Sequence, residues 1–337
     1  MSQGLRGTEE AHKEINYRQV IARAIADAMA EDPAVILIGE DVGEAGGAFK
    51  STAGLFEEFG PRRVRDTPIS EQAIIGAALG AAMTGLRPIA EIMFADFAGV
   101  CFDQIANQVA KYRYMTAGQV TVPLTIRMSN GAGGGFGAQH SQSTENWFLN
   151  IPGLMIAVPG TVEDLYGLIR SAVRENNPVI VFEHKNLFSL KGSVPTGPDA
   201  IVPLGKAAVV RQGGDVTVVA TQQMRHRAVD AAVQLSAEGI EATVIDPRTL
   251  VPFDDETIVA SIADTSRLAV VQEGPPGGSW GASLVARMVT THFELFDAPP
   301  VLISADETPI PYAAAMEAAW LPSVDRIVSE IRKQVGY

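Results

Sequence analysis

Residues 72–86, running Gln72-Ala-Ile-Ile-Gly-Ala-Ala-Leu-Gly-Ala-Ala-Met-Thr-Gly-Leu86, have helical length and no polar face. A helix that is apolar all round belongs inside a protein. This one is too short to span a bilayer, which needs about 20 apolar residues. Ala73, Gly76, Ala77, Gly80 and Ala81 leave room for other backbones to come close. Directly before the rod stand Asp66-Thr-Pro-Ile-Ser-Glu71, where Ser70 is a good capping residue. Glu71 thus enters at the mouth of a buried helix. A carboxylate in an apolar, packed place is costly unless something pairs with it. A first-turn glutamate steadied by the helix dipole and partly solvated explains the residue equally well. From these residues alone both readings stay open.

The rest of the chain shows what surrounds the rod. Short β-branched runs alternate with longer helical stretches, the pattern of parallel sheets covered by helices, so the fold class is α/β. Asn16 is expected to cap a helix through Met29, and strands are expected at Val35–Gly39, Pro88–Ile92, Leu124–Met128, Met155–Val158 and Val179–Phe182. Helices are expected over about 97–115 and over 162–175, the second opened by Thr161 and Asp164 as a capping box. The proline- and glycine-rich stretch 189–205 reads as a linker. Beyond it, Val216–Val219, Ala242–Ile245, Leu268–Val271 and Val301–Ile303 are four strand candidates separated by helical stretches. The expected plan is a tail over 1–14, a first parallel-sheet domain over 15–188, the linker 189–205, and a smaller parallel domain over 206–337.

Composition narrows the function classes. With 47% hydrophobic and 19% charged residues, the chain can bury two cores and is not a disordered one. Its net charge of −13, with no basic stripe, argues against nucleic acid. No apolar run reaches membrane length, and no stretch reads as a signal peptide. Cys101 is the only cysteine, so no internal disulfide forms and a reducing cytoplasm is the expected setting.

Three separated segments carry a family resemblance: Arg62-Arg-Val-Arg-Asp-Thr-Pro-Ile-Ser-Glu71, Gly85-Leu-Arg-Pro-Ile-Ala-Glu91 and Ala138-Gln-His-Ser-Gln142. In this order they closely resemble the beta subunit of the thiamine-diphosphate-dependent decarboxylating component of 2-oxoacid and acetoin dehydrogenase complexes. The resemblance covers nearly the whole chain, from about Ile15 onward. It implies a thiamine-diphosphate pyrimidine-binding fold followed by a transketolase C-terminal-like domain. It also makes Glu71 catalytic, as the carboxylate facing the ring nitrogen of the cofactor's aminopyrimidine. Glu40, Ile69, Met93 and Phe97 match positions lining the cofactor, with Phe97 over the pyrimidine and Glu40 in an acidic passage. An ordinary polar strand end remains the alternative for Glu40, and ordinary core packing for Phe97.

His140 follows the loop Gly131-Ala-Gly-Gly-Gly-Phe-Gly137, too rich in glycine to be chosen for stability. The resemblance gives this histidine the substrate end, where it handles protons or orients the acyl acceptor. Gly133–Ala138 also satisfies G-x-G-x-x-A. The polar run after it is no start for a packed helix, and the acidic residue expected about 20 positions on is missing. No Gly-Asp-Gly diphosphate motif occurs, so the chain owns the pyrimidine half of a site. The resemblance assigns the other half, with its magnesium, to an alpha subunit in an alpha2-beta2 heterotetramer that serves a lipoyl acyltransferase core. It further implies potassium on backbone carbonyls at Leu124, Ala172, Val173, Glu175 and Asn177. The expected activity is that of an oxidoreductase decarboxylating a 2-oxoacid, or cleaving acetoin, and passing the acyl group to a lipoyl domain. Glu183-His-Lys185 and Ile105–Met115 lean towards acetoin. The competing readings are a two-chain transketolase-like synthase without a lipoyl partner and a non-catalytic structural subunit.

Overall fold

The computed structural model describes residues 14–194 and 200–336. The tail expected over 1–14 lies, except for Glu14, outside the described residues, as does the centre of the expected linker, 195–199. The chain divides into two compact units, residues up to 130 with 147–204, and residues 131–146 with 205 onward.

The first unit opens with helix α1 (Tyr17–Glu31). Asn16 Oδ1 accepts the Gln19 N–H at 2.8 Å and Gln19 Oε1 accepts the Asn16 N–H at 3.1 Å, closing a reciprocal cap. Strands β1 (Val35–Gly39) and β2 (Val64–Asp66) precede helix α2 (Glu71–Met83). Next come β3 (Arg87–Ile92), β4 (Thr125–Asn130), β5 (Met155–Ala157), helix α3 (Val162–Arg174) and β6 (Val179–His184). These six strands are parallel and lie in the order β5-β6-β4-β3-β1-β2. Helices α1 and α3 bring Ile21, Ile25, Leu165 and Ile169 into one core with Leu37, Ile89 and Val181 of the sheet. The chain leaves β1 for β2 on one side and then returns to β3 on the other. Ligands of open α/β sheets bind beyond the carboxyl ends of the strands at such a reversal.

Two expectations change here. Helix α2 buries Ile74, Ile75, Ala78, Leu79 and Ala82, yet Ala73, Ala77 and Gly80 are exposed. It packs on β3, and a helix lying on a sheet is covered from one side only. The expected long helix over 97–115 is instead three short pieces: a 3₁₀ turn (Ala95–Gly99), a π turn (Gln104–Val109) and one α turn (Tyr112–Met115). In the π turn Ala110 donates to Ile105 O at 3.0 Å, the wide spacing that often marks functional segments.

The second unit holds β7 (Ala208–Arg211), β8 (Val216–Ala220), helix α4 (Gln222–Ser236), β9 (Ala242–Asp246), helix α5 (Asp255–Thr265) and β10 (Leu268–Val271). Helix α6 (Trp280–Thr291), β11 (Val301–Ile303), α7 (Ala314–Trp320) and α8 (Val324–Val335) complete it. The sheet order is β11-β10-β8-β9-β7. Four strands are parallel, and β7 adds an antiparallel edge that the sequence reading lacks. Residues 131–146 pack with this unit although they leave directly from β4.

Candidate active site

At the reversal between β1 and β3, loops and strand ends gather a group of charged side chains. Asp66 closes β2 and its Oδ1 accepts the Gly43 N–H at 2.7 Å. A Cβ at Gly43 would stand 2.5 Å from Asp66 Oδ2, so a larger residue there would push that carboxylate aside. Thr67 N–H donates to Gly39 O at 3.0 Å. These two bonds fasten the segment leading to Glu71 against the segment carrying Glu40 and Asp41. Gly39 in turn is where Glu91 of β3 comes closest: a Cβ on Gly39 would lie 3.0 Å from Glu91 Cβ.

Glu71 heads α2 and is 8% exposed. Its carboxylate makes no hydrogen bond or ion pair with any described residue. Ser70, expected as a side-chain cap, occupies the cap position without making that bond. Thr67 Oγ1, by contrast, is fully enclosed without a partner among the described residues. Buried polar groups are almost always satisfied, so each exception asks for an explanation. Glu40 is partly buried; burial first, then the negative charges of Glu71, Asp41 and Glu91, hold its carboxyl above the usual value.

Cys101 is buried, and its thiol is pushed up to about 12 by burial and next by the charge of Glu71. Its sulfur lies 3.9 Å from Phe97 O and 3.7 Å from Ala98 O. Phe97 is half-buried and stacks edge-on with Phe94, ring centroids 5.4 Å apart; Phe94 continues to Phe49 at 5.3 Å. The Lys185 ammonium lies 5.6 Å from the centre of the Phe94 ring. Met93 is partly buried between Ile92 and this aromatic row, whereas Ile69 is 84% exposed on the Asp66–Glu71 loop.

Beneath the group lies a charged trio that sequence reasoning missed. Arg127 of β4 is 1% exposed and donates to Glu183 of β6 and Glu91 of β3. Glu91 and Arg127 are register partners, and Glu183 lies two residues beyond the partner of Arg127, so all three share one face. Burial lifts the Glu183 carboxyl above its ordinary value, against the pull of Arg127. The signal was present in the sequence: an arginine inside the strand run Leu124-Thr-Ile-Arg-Met128, a residue rarely enclosed unless paired.

The carbonyls considered for potassium lie at the opposite, amino edge of the sheet. Arg87 Nη1 donates to Val173 O at 3.0 Å and to Glu175 O at 3.1 Å. Leu124 O accepts the Val179 N–H at 3.0 Å and Ala172 O accepts the Glu175 N–H at 3.2 Å. The Asn177 side chain pairs with Arg113 and Glu175. Among the described residues no group of three or more His, Cys, Asp or Glu side chains stands ready to hold a metal.

His140 belongs to the second unit. It is partly buried and its N–H donates to Gly137 O at 3.3 Å. Ser141 beside it is fully buried, its hydroxyl without a hydrogen-bond partner among the described residues. The residues after the glycine run form no helix until Glu145, which removes the dinucleotide reading of Gly133–Ala138. Asn146 Oδ1 accepts the Trp280 N–H at 2.9 Å and anchors the far end of the segment.

The fold has counterparts among known proteins. Residues 13–191 match the transketolase pyrimidine binding domain and residues 205–327 the transketolase C-terminal domain. The acetoin:2,6-dichlorophenolindophenol oxidoreductase subunit beta of Bacillus subtilis (strain 168) is 45% identical, covering 96% of this chain and 97% of its own length. The same subunit of Cupriavidus necator is 44% identical, covering 95% and 97%. The mitochondrial pyruvate dehydrogenase E1 component subunit beta of Bos taurus is 40% identical, covering 98% and 93%. A split-gene transketolase solved as an inactive beta4 tetramer superposes with a TM-score of 0.78 over 96% of this chain and 98% of its own, at 24% identity, a likeness of fold. With both domains matched and such identities along nearly its whole length, this chain belongs to the family of beta subunits found in acetoin oxidoreductases and in the E1 components of pyruvate dehydrogenases.

Proposed function

We propose that the chain is the beta subunit of a thiamine-diphosphate-dependent dehydrogenase component that cleaves acetoin or decarboxylates a 2-oxoacid and delivers the acyl group to a lipoyl domain. The observation carrying this reading is the Glu71 carboxylate, nearly buried and without a partner among the described residues. Such a group is available to accept a hydrogen bond from a ring nitrogen of the cofactor. Burial and then the charge of Glu71 raise the proton affinity of Glu40 above its ordinary value, which suits a carboxyl lining the same pocket. Phe97 and Met93 offer an apolar cover for a flat ring, and the exposed Ile69 is expected to be covered by the cofactor or the partner chain. Bound there, thiamine diphosphate would supply a carbon acid able to add to a ketone and hold the electron pair released from it. His140 moves a proton or orients the acyl acceptor, since an imidazole can both donate and accept a hydrogen bond.

The diphosphate and its magnesium fall to an alpha subunit, in an alpha2-beta2 assembly in the cytoplasm that serves a lipoyl acyltransferase core. The exposed apolar face of α2, with Ala73, Ala77 and Gly80, is suited to close helix contact in such an assembly. Potassium on the carbonyls of Leu124, Ala172, Val173, Glu175 and Asn177 rests on the family resemblance alone, because the Arg87 guanidinium already donates to Val173 O and Glu175 O. Among the relatives, identities of 45% and 44% to acetoin-type subunits against 40% to 42% to pyruvate-type ones lean towards acetoin by a small margin. Reconstitution with the alpha chain tests the reading. The lone chain should bind the cofactor very weakly and turn nothing over, and the pair should reduce a dye acceptor with acetoin. Turnover by the lone polypeptide, or an assembled pair inert towards acetoin and every 2-oxoacid, would refute it.

A further inference from the structure

Every second residue from Gly131 to Gly137 has a positive φ: +92°, +97°, +71° and +76°. A backbone alternating in this way turns successive N–H groups towards one concave face, the kind of nest that holds an anion. Here the anion belongs to the chain itself. Glu317 Oε1 accepts the Gly133 N–H at 2.7 Å and Oε2 accepts the Gly135 N–H at 3.0 Å. Glu273 Oε1 accepts the preceding Ala132 N–H at 2.5 Å. Both carboxylates are buried, Glu317 to 2% exposure. They come from α7 and from the turn after β10.

Burying two carboxylates is costly and is offset only by donors aimed at them. Glycine loses the most conformational freedom on ordering. A segment that needed only to connect two elements would use neither device. Their combined effect is a loop backbone fixed at three N–H donors, Ala132, Gly133 and Gly135, two residues short of Gly137. Gly137 O then accepts the His140 N–H, so the fixed backbone ends at the turn that carries the imidazole.

We propose that Glu317, assisted by Glu273, is the positioning residue for His140: its carboxylate organises the glycine nest and so sets where the imidazole stands. The proposal rests on the reading of His140 given above. A purely structural Glu317, tethering α7, would lower stability and all activities alike. A positioning Glu317 acts on the step that His140 serves.

The test uses the chain assembled with its alpha partner and two acceptors, 2,6-dichlorophenolindophenol and a lipoyl domain. Glu317→Gln should cut lipoyl-linked turnover by about 10-fold or more while dye-linked turnover stays within about 3-fold, and adding His140→Ala should cost less than the two separate losses combined. Gly135→Ala provides a variant that leaves Glu317 and α7 intact. An added Cβ there meets nothing within 4 Å, so it strains the backbone alone, and the same split is expected in milder form. Phe136 is 42% exposed, and chymotryptic cleavage after it should quicken by roughly 10-fold in both variants as the loop opens more often. Full lipoyl-linked turnover in both variants, equal losses with both acceptors, or unchanged cleavage would overturn the proposal. If His140→Ala alone keeps full lipoyl-linked turnover, the reading of His140 has failed. Faster cleavage in the Glu317 variant would then still show the loop held by that carboxylate, so the two failures are told apart.

Discussion

Arg127 holds Glu183 by two parallel hydrogen bonds, Nε to Oε1 at 2.6 Å and Nη2 to Oε2 at 2.9 Å, and donates Nη1 to Glu91 Oε2 at 2.7 Å. One guanidinium thus holds two buried carboxylates together beneath Glu40 and Glu71. Removing it would leave both unpaired in the interior. Arg127→Met is therefore expected to destabilise the chain by about 3–5 kcal/mol, read as a lower midpoint of denaturant unfolding. Changing Glu91 and Glu183 to glutamine in the same chain should recover much of that loss. A single Arg127→Met chain as stable as the parent would show that the trio contributes nothing.

The elevated proton affinity of Glu40 gives a pH signature. Its folded-state value lies above the ordinary 4.5 because of burial and the charges of Glu71, Asp41 and Glu91. The stability linked to its protonated form is complete below about 4.5 and is lost as pH rises through the higher folded value. At neutral pH, Glu40→Gln removes the cost of holding that charge and should raise the thermal midpoint. Near pH 4 the substitution should be close to neutral. A midpoint shift of equal size at both pH values would contradict the electrostatic origin.

Cys101 should be inert. Burial, aided by Glu71, pushes its thiol to about 12, so almost no thiolate exists at pH 8, and the thiolate is the reactive form. An aromatic disulfide reagent should leave the folded protein unlabelled and label one thiol per chain after denaturation. Prompt stoichiometric labelling of the native protein would mean that the segment around Phe97 opens readily.

How far the sequence speaks depends on the range of the interactions involved. Leu268–Val271 and Val301–Ile303 form strands over the residues expected, because a short β-branched run between turn residues has few other uses. The stretch 97–115 does not form one helix. Periodicity reports which side of a segment is apolar, and it is silent on whether the hydrogen bonds close at three, four or five residues. The apolar composition of α2 was plain, but the exposure of Ala73 and Ala77 depends on what a single chain has available to cover them. As candidate site residues, Glu71 and Glu40 stand out in the sequence through a contiguous motif and a strand end. Glu317 does not, since its partners Gly133 and Gly135 lie 184 and 182 residues away and no local pattern marks it.

The most direct test of the account is the turnover of a Glu71→Gln chain assembled with its alpha partner. Glutamine keeps the shape of the side chain at the mouth of α2 and removes the ionisable group. If Glu71 shares a proton with the cofactor ring, the complex should form normally and bind thiamine diphosphate, with steady-state turnover lowered by about 100-fold or more. A Glu71→Gln complex running near the parent rate would contradict the assignment of this carboxylate as the catalytic group.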